Sequence, residues 1–143
     1  MVYQLFEEMQ PFYYKIKMKR RVSDSLMTEF VRRRDKRCVY RVRCSGLASP
    51  EELDCSHWQK RRHEGTRHEP DNCDAVCRLC HSYVESDPEG AKWLDGFKLR
   101  QLGKMRHDMV LLTANNVQKK DEFMARLKMR ELLKTLDVER DTN

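Results

Sequence analysis

Hydrophobic residues in this chain recur at two spacings, and the change from one to the other lays out the elements. Tyr14, Ile16 and Met18 alternate with Lys15, Lys17 and Lys19, a period of two that predicts a short strand or extended arm within residues 1–22. Leu26, Phe30 and Val31 then fall at helical spacing, which predicts a helix capped at Ser23 or Asp24 and running to about Arg34. Residues 38–56 read as a turn-rich knuckle that leads into a strand around Leu53 to Trp58. Residues 59–71 show no periodicity and predict a long loop, an uncommon feature in compact domains and usually a functional one. A helix is expected to begin near Asn72 to Asp74 and to pass through Cys77, Cys80, His81 and Val84. Pro88 opens another, carrying Trp93, Leu94, Phe97 and Leu102 and stopped by Gly103. Over about residues 119–138, Met124, Leu127, Met129, Leu132, Leu133 and Leu136 form a stripe suited to a core or a partner-helix seam. The pattern is α+β: an N-terminal basic arm (1–22), a central unit (23–87) and a C-terminal helical extension (88–143).

Composition makes that central unit a problem. At 143 residues the chain is one domain's worth, yet only 39% of it is hydrophobic and 36% is charged. A mean hydropathy of −0.87 leaves little for a large apolar interior. A small domain short of core needs a staple, either disulfides or a structural metal. The N-terminus carries acids and a proline where a signal peptide would need an apolar stretch. No apolar run approaches the ~20 residues that span a bilayer. The expected setting is therefore the reducing cytoplasm with no membrane partner, where six cysteines argue for metal rather than disulfides.

Charge narrows the partner. Residues 15–43 hold twelve Lys/Arg and three Asp/Glu, so this window carries +9 while the whole chain carries +6. Beside a metal centre, that block is the electrostatic footprint of a phosphate-backbone binder; alone, it would equally suit a solvated basic face.

Cys77-x2-Cys80 is half of a four-cysteine zinc site. Cys38 and Cys44, in the knuckle CVYRVRCSG, are the candidates for the other half, although five intervening residues are more than the usual two to four. Cys55 and Cys73 read as small buried hydrophobes rather than ligands. A redox reading of Cys77-x2-Cys80 has no surrounding βαβ pattern to support it.

The histidines complete a pattern. His57 sits on the predicted strand, Asn72 at the end of the loop, and His81 directly after the second thiolate. The whole stretch CSHWQKRRHEGTRHEPDNCDAVCRLCH (residues 55–81) resembles the HNH, or ββα-metal, endonucleases, and in particular the phage-borne NinG-type recombination nucleases. The similarity extends more faintly through WLDGFKLRQLG and the last helix, over about 100 residues in all. It implies a zinc-stapled ββα-metal core within residues 23–87 and metal-dependent hydrolysis of DNA, in a bacterial host cell if the protein is phage-encoded.

Carried over residue by residue, the resemblance makes His57 the general base that activates water, a task suited to an imidazole titrating near neutrality. Asn72 would hold the loop through backbone hydrogen bonds, and His81 would bind a catalytic Mg²⁺ or Mn²⁺. The sequence departs from the family at Ser56, where an acid or histidine usually binds that ion. Asp54, through a metal-bound water, and Glu85, one helical turn after His81, are the replacements we favour; weak or absent binding of the ion is the remaining alternative. Lys60, Arg61 and Arg62 would meet phosphates, and Arg67 would clamp a phosphate or the transition state. His63 is a candidate auxiliary proton carrier, and Trp58 reads as core. Two readings compete: a DNA endonuclease acting on duplex or branched substrates, and a catalytically degenerate zinc-knuckle nucleic-acid-binding protein. The sequence does not resolve the substrate's form or the oligomeric state.

Overall fold

The computed structural model describes residues 21–142. The arm predicted around Tyr14 to Lys19 lies outside the described residues. Those that follow form helix α1 (Val22–Asp35), strand β1 (Asp54–His57), a single helical turn α2 (Glu64–Arg67), strand β2 (Cys73–Val76) and helices α3 (Arg78–Ser86), α4 (Pro88–Asn115) and α5 (Glu122–Asp141). Among the described residues the fold is mixed α+β and mostly helical, with one two-stranded antiparallel sheet.

Met27, Phe30 and Val31 give α1 its buried stripe. The helix ends where Lys36 turns left-handed, φ 63°, and donates its N–H to the Arg32 carbonyl. Neither Ser23 nor Asp24 caps it, since both lie inside the helix and Arg21 holds the N-cap position. Instead Glu122 of α5 accepts the Ser23 backbone N–H at 3.0 Å and the Ser23 hydroxyl at 2.7 Å. A carboxylate at a helix N-terminus meets both the open N–H groups and the positive end of the dipole. The same carboxylate pairs with Arg21 at 2.8 Å, and Arg33 pairs with Asp137 further along, so α5 is strapped to α1 at two levels.

β1 and β2 pair antiparallel with Asp54 opposite Val76 and His57 opposite Cys73. This corrects the helix expected from Asn72 or Asp74 onward: Cys73–Val76 is strand, Cys77 is the N-cap, and the helix starts at Arg78. Cys73, Cys77, Cys80 and Val84 fall at helical spacing by coincidence, and pairing with β1 overrides that pattern. All four β2 residues are buried. Val39 donates its N–H to the Ala75 carbonyl at 2.9 Å, and Asp35 accepts the Ala75 N–H at 2.9 Å, so the outer edge of β2 is covered. The expected long loop is likewise not featureless, because it contains α2 and a 3-10 turn over Pro70–Asn72.

Pro88 opens α4 as predicted, with the Asp87 side chain accepting the Glu89 N–H at 2.9 Å. Gly103 breaks the helix, with φ 76° and ψ 163°, but helix resumes beyond it to Asn115. A second glycine, Gly90, is required by packing: a Cβ there would lie 2.0 Å from the Tyr83 carbonyl oxygen, where α3 and α4 meet. On α5 the predicted stripe is only partly used. Met129 is wholly buried and Leu132, Leu133 and Leu136 pack against the core, whereas Met124 and Leu127 are exposed.

The core runs without interruption from Met27 and Val31 through Leu53, Val76 and Cys80 to Leu94, Val110 and Met129. Its polar centre is Asp74, on the face of the hairpin that meets α4. Its carboxylate accepts from Lys98 Nζ at 2.9 Å, Gln101 Nε2 at 2.8 Å and the Tyr40 hydroxyl at 3.1 Å. Lys98 has no exposed surface and Asp74 has 1%. A buried pair whose remaining valences are filled tolerates desolvation; a buried charge left alone does not. Lys98→Met is therefore expected to destabilise the fold by about 3–5 kcal/mol, measured as a lowered urea midpoint. Pairing it with Asp74→Asn should recover much of that loss.

Candidate active site

Two features of this scaffold converge on chemistry. The first is the cysteine cluster. Cys38, Cys44, Cys77 and Cys80 bring their sulfurs within 4.8 Å of one another, a set that could hold a zinc ion. Cys77 and Cys80 sit at the N-terminal end of α3, while Cys38 and Cys44 come from the knuckle. The wide gap between the latter pair is taken up at Arg41, whose left-handed backbone, φ 50°, turns the chain back towards the helix. Cys80 and Cys44 lie 3.6 Å apart, close to the roughly 3.8 Å between two thiolates on one tetrahedral zinc. The Arg43 N–H donates to the Cys80 sulfur at 3.3 Å, the kind of outer hydrogen bond that orients a metal-binding thiolate. The donor set fits a structural zinc.

The second feature is a cleft of about 970 Å³ between α1, β1, the loop and α3, lined by Arg21, Asp24, Thr28, Arg32, Asp54, Cys55, His57, Lys60, Arg61, Arg62, Arg67, Arg78, His81 and Glu85. It gathers most of the polar residues singled out in the sequence. Seven of its lining side chains are Lys or Arg against three Asp or Glu, so its field favours an anionic ligand.

His57, the last residue of β1, is 9% exposed. Its Nε2 lies 2.9 Å from the Arg67 carbonyl. A carbonyl only accepts, so Nε2 must carry the proton, and Nδ1 is left with a lone pair. Burial pushes the His57 pKa down to about 4, with the Arg67 carbonyl partly opposing it, so the ring is neutral at physiological pH; this corrects the near-neutral titration expected from the sequence and makes His57 a weaker base.

Asn72 explains why the loop holds its shape. Its Nδ2 donates to the carbonyls of Gln59 and Thr66, both at 3.0 Å, and its Oδ1 accepts the Gln59 N–H at 2.7 Å. Its own backbone carbonyl accepts the Trp58 N–H at 3.0 Å. A single buried amide thus ties both ends of the loop to its middle. Asp24 adds an ionic anchor that sequence reasoning missed. It accepts from Arg67 Nε at 2.9 Å and Nη2 at 2.6 Å, and lies 3.1 Å from His68 Nε2. Burial would raise the Asp24 carboxyl, but Arg67 and His68 hold it well below the usual carboxylate range. Arg67 is thereby committed to Asp24, and it addresses His57 through its carbonyl rather than its charge. No local sequence signal marks Asp24 for this role, one of three acids in the basic block.

His81, on α3, lines the same cleft and lies between two carboxylates. Asp54 Oδ2 is 3.0 Å from Nδ1 and Glu85 Oε1 is 3.4 Å from Nε2. With Asp54 accepting the Nδ1 proton, Nε2 is the nitrogen left to bind a cation. Two donors of one cation at bonds of ~2.1 Å lie about 3.0 Å apart or a little more, so Nε2 and Glu85 fit as a pair. Asp54 then orients the imidazole from behind, as carboxylates do at metal-bound histidines, and also meets Arg78 at 3.0 Å. Ser56 offers nothing here: it is buried on the opposite face of the sheet, 3.2 Å from the Tyr40 hydroxyl.

The other expected residues are placed as follows. Lys60, Arg61 and Arg62 are exposed at the cleft mouth, with Lys60 Nζ 3.5 Å from Glu85. His63 turns away from the cleft to the Ala114 carbonyl at 3.1 Å, and Trp58 is buried, donating to Asp95 at 2.7 Å. Cys55 is half-buried, packed against the core on one side and lining the cleft on the other, while Cys73 is wholly buried. The sulfurs of both lie within 4.8 Å of a ring nitrogen of His57.

Two outcomes follow from this geometry. Purified protein should contain about one tightly held zinc per chain; a strong chelator should unfold it, and Cys77→Ser should lose metal and solubility together, as read by elemental analysis and thermal melting. An unchanged melt after complete metal removal would exclude a structural role. Asp24, depressed in the folded state, contributes stability that is present above the ordinary carboxylate pKa of about 3.9 and is lost as pH falls below it. Asp24→Asn should therefore be less stable at neutral pH and lose less on acidification than the parent, read as urea midpoints across the pH range.

Comparison with protein-family models, curated proteins and solved structures returned no match for the chain, so what the cleft does has to be argued from its own geometry.

Proposed function

We propose that the chain is a metal-dependent DNA endonuclease of the HNH type, hydrolysing phosphodiester bonds with His57 as general base. One observation carries this reading: a neutral imidazole, its Nε2 proton tied to the Arg67 carbonyl, shares a cationic cleft with the His81–Glu85 donor pair. The order strand, loop, strand, helix that presents these groups is the one the resemblance implies.

His57 Nδ1 takes the proton of a water molecule as its oxygen forms a bond to phosphorus, and the P–O bond opposite breaks. The proton rests on the imidazole until solvent removes it. Burial and the fixed tautomer keep His57 unprotonated and aimed before the reaction begins. A Mg²⁺ or Mn²⁺ ion held by His81 and Glu85 would supply charge stabilisation at the leaving oxygen. Asp54 keeps the His81 ring in the orientation this requires. Lys60, Arg61 and Arg62 meet the DNA backbone, while Arg67 holds the loop to α1. These are phosphate contacts, so binding should be weakly sequence-dependent and sensitive to salt. The turning of Ser56 away from the cleft favours the second reading, a zinc-stapled DNA-binding module without catalysis.

The two readings separate on His57→Ala. As an enzyme, the variant should nick DNA about 10²- to 10⁴-fold more slowly in Mg²⁺ or Mn²⁺ while keeping its zinc and its DNA affinity. His81→Ala should also lose cleavage, with partial rescue by raised Mn²⁺ that His57→Ala does not show. Replacing Arg61 and Arg62 together should reduce the salt dependence of binding equally on all sequences. If wild-type protein with zinc in place cuts no duplex, branched or single-stranded DNA with Mg²⁺, Mn²⁺ or Ni²⁺, the binding module replaces the enzyme.

A further inference from the structure

We propose that Cys55, His57 and Cys73 form a second site for a thiophilic divalent cation such as zinc, and that its occupation silences His57. The three donor atoms lie within 4.8 Å of one another, the second such cluster among the described residues. Its origin is the strand register. His57 and Cys73 stand directly opposite each other, and Cys55, two residues before His57, points to the same face. Cys73 reaches the site from the interior, its sulfur 3.7 Å from the Arg67 carbonyl. Cys55 and His57 both line the cleft, which gives an ion a path in and leaves one position open to solvent. Two sulfurs, one nitrogen and an open position match the ligand count of an accessible zinc site.

A disulfide between the two cysteines is the alternative use of such a pair, and the register opposes it. Cys55 faces Ala75 rather than Cys73, so the two are diagonal neighbours. Diagonal Cα atoms lie ~7–8 Å apart, beyond the usual reach of a disulfide. A cation bridges that span without moving the backbone.

The consequence for His57 does not depend on which nitrogen binds. With the cation on Nδ1 the lone pair is taken directly. With the cation on Nε2 the neutral ring carries its proton on Nδ1, and again no lone pair remains for water. The site is thus an inhibitory one, and this half of the proposal rests on the nuclease reading.

The test uses purified full-length protein with the four-cysteine cluster already filled, titrated with Cd²⁺ or Co²⁺. Wild type should take up a second equivalent with a sulfur-to-metal charge-transfer band. Cys55→Ser, at a half-buried position, should lose that equivalent while keeping the first and its thermal melt. Mg²⁺-dependent nicking by wild type should be suppressed by micromolar Zn²⁺, and Cys55→Ser should need at least tenfold more. A single equivalent in wild type, or a second one undiminished in Cys55→Ser, overturns the site. A second equivalent that leaves nicking untouched overturns the inhibition. Wild type that never nicks, yet binds a second equivalent lost in Cys55→Ser, keeps the site and removes the nuclease reading instead.

Discussion

Two four-residue strands do not hold together in water by themselves, yet the pairing of Asp54–His57 with Cys73–Val76 positions nearly everything of chemical interest in this protein. Its register sets His57 opposite Cys73 and sends Asp54 to the end of the sheet nearest His81. It also delivers the chain into α3 at Cys77, so that two cysteines and a histidine leave the sheet together. The surroundings supply what the strands lack. Lys98 and Asp74 close a buried ionic pair on one face, α1 covers the other, and Val39 and Asp35 satisfy the open edge. At the far end of the unit the four-cysteine cluster could hold a zinc ion that ties it to the knuckle, the kind of staple a thin apolar core calls for.

The cleft shows how a cationic surface can still contain a weakly basic, neutral imidazole. Burial disfavours the charged ring, and the charge of Arg61 repels an imidazolium further. Arg67 is neutralised by Asp24, and Asn72 fixes the backbone beside its carbonyl through the Thr66 carbonyl. Positive charge is thus left mainly at the mouth, on Lys60, Arg61 and Arg62, where a phosphate backbone would arrive first. The interior is reserved for directional hydrogen bonds. That division between a charged rim and a neutral, oriented centre suits the proposed hydrolysis, in which an anion is held and water is deprotonated beside it.

Reading the elements from sequence succeeded where a stripe of apolar residues decided the matter. Leu26, Phe30 and Val31 place α1, although Met27 rather than the partly buried Leu26 completes its buried stripe, and Pro88 marks the start of α4. It failed at Cys73–Val76, where helical spacing continued backwards into a strand, and it fell short at Gly103, which interrupts the helix as expected but is followed by more helix to Asn115. Both shortfalls have one cause. Local periodicity reports what a segment prefers, whereas strand pairing and helix resumption depend on partners far along the chain. The capping expectation at Ser23 failed for the same reason, because the acceptor is Glu122, about a hundred residues away.

The residue types fixed the kinds of chemistry available: paired cysteines suited to a soft metal, histidines beside a loop rich in arginine, and an asparagine where a loop must be tied. Side-chain chemistry is local, so it is legible from composition and spacing alone. Which partner each group meets is not local. Folding turned Ser56 away from the cleft and made Asp54 the group that orients His81. Folding also gave Arg67 to Asp24, and brought Cys55 and Cys73, read as filler, to the side of His57. Those assignments depend on register and on contacts separated by tens of residues, and only the tertiary structure specifies them.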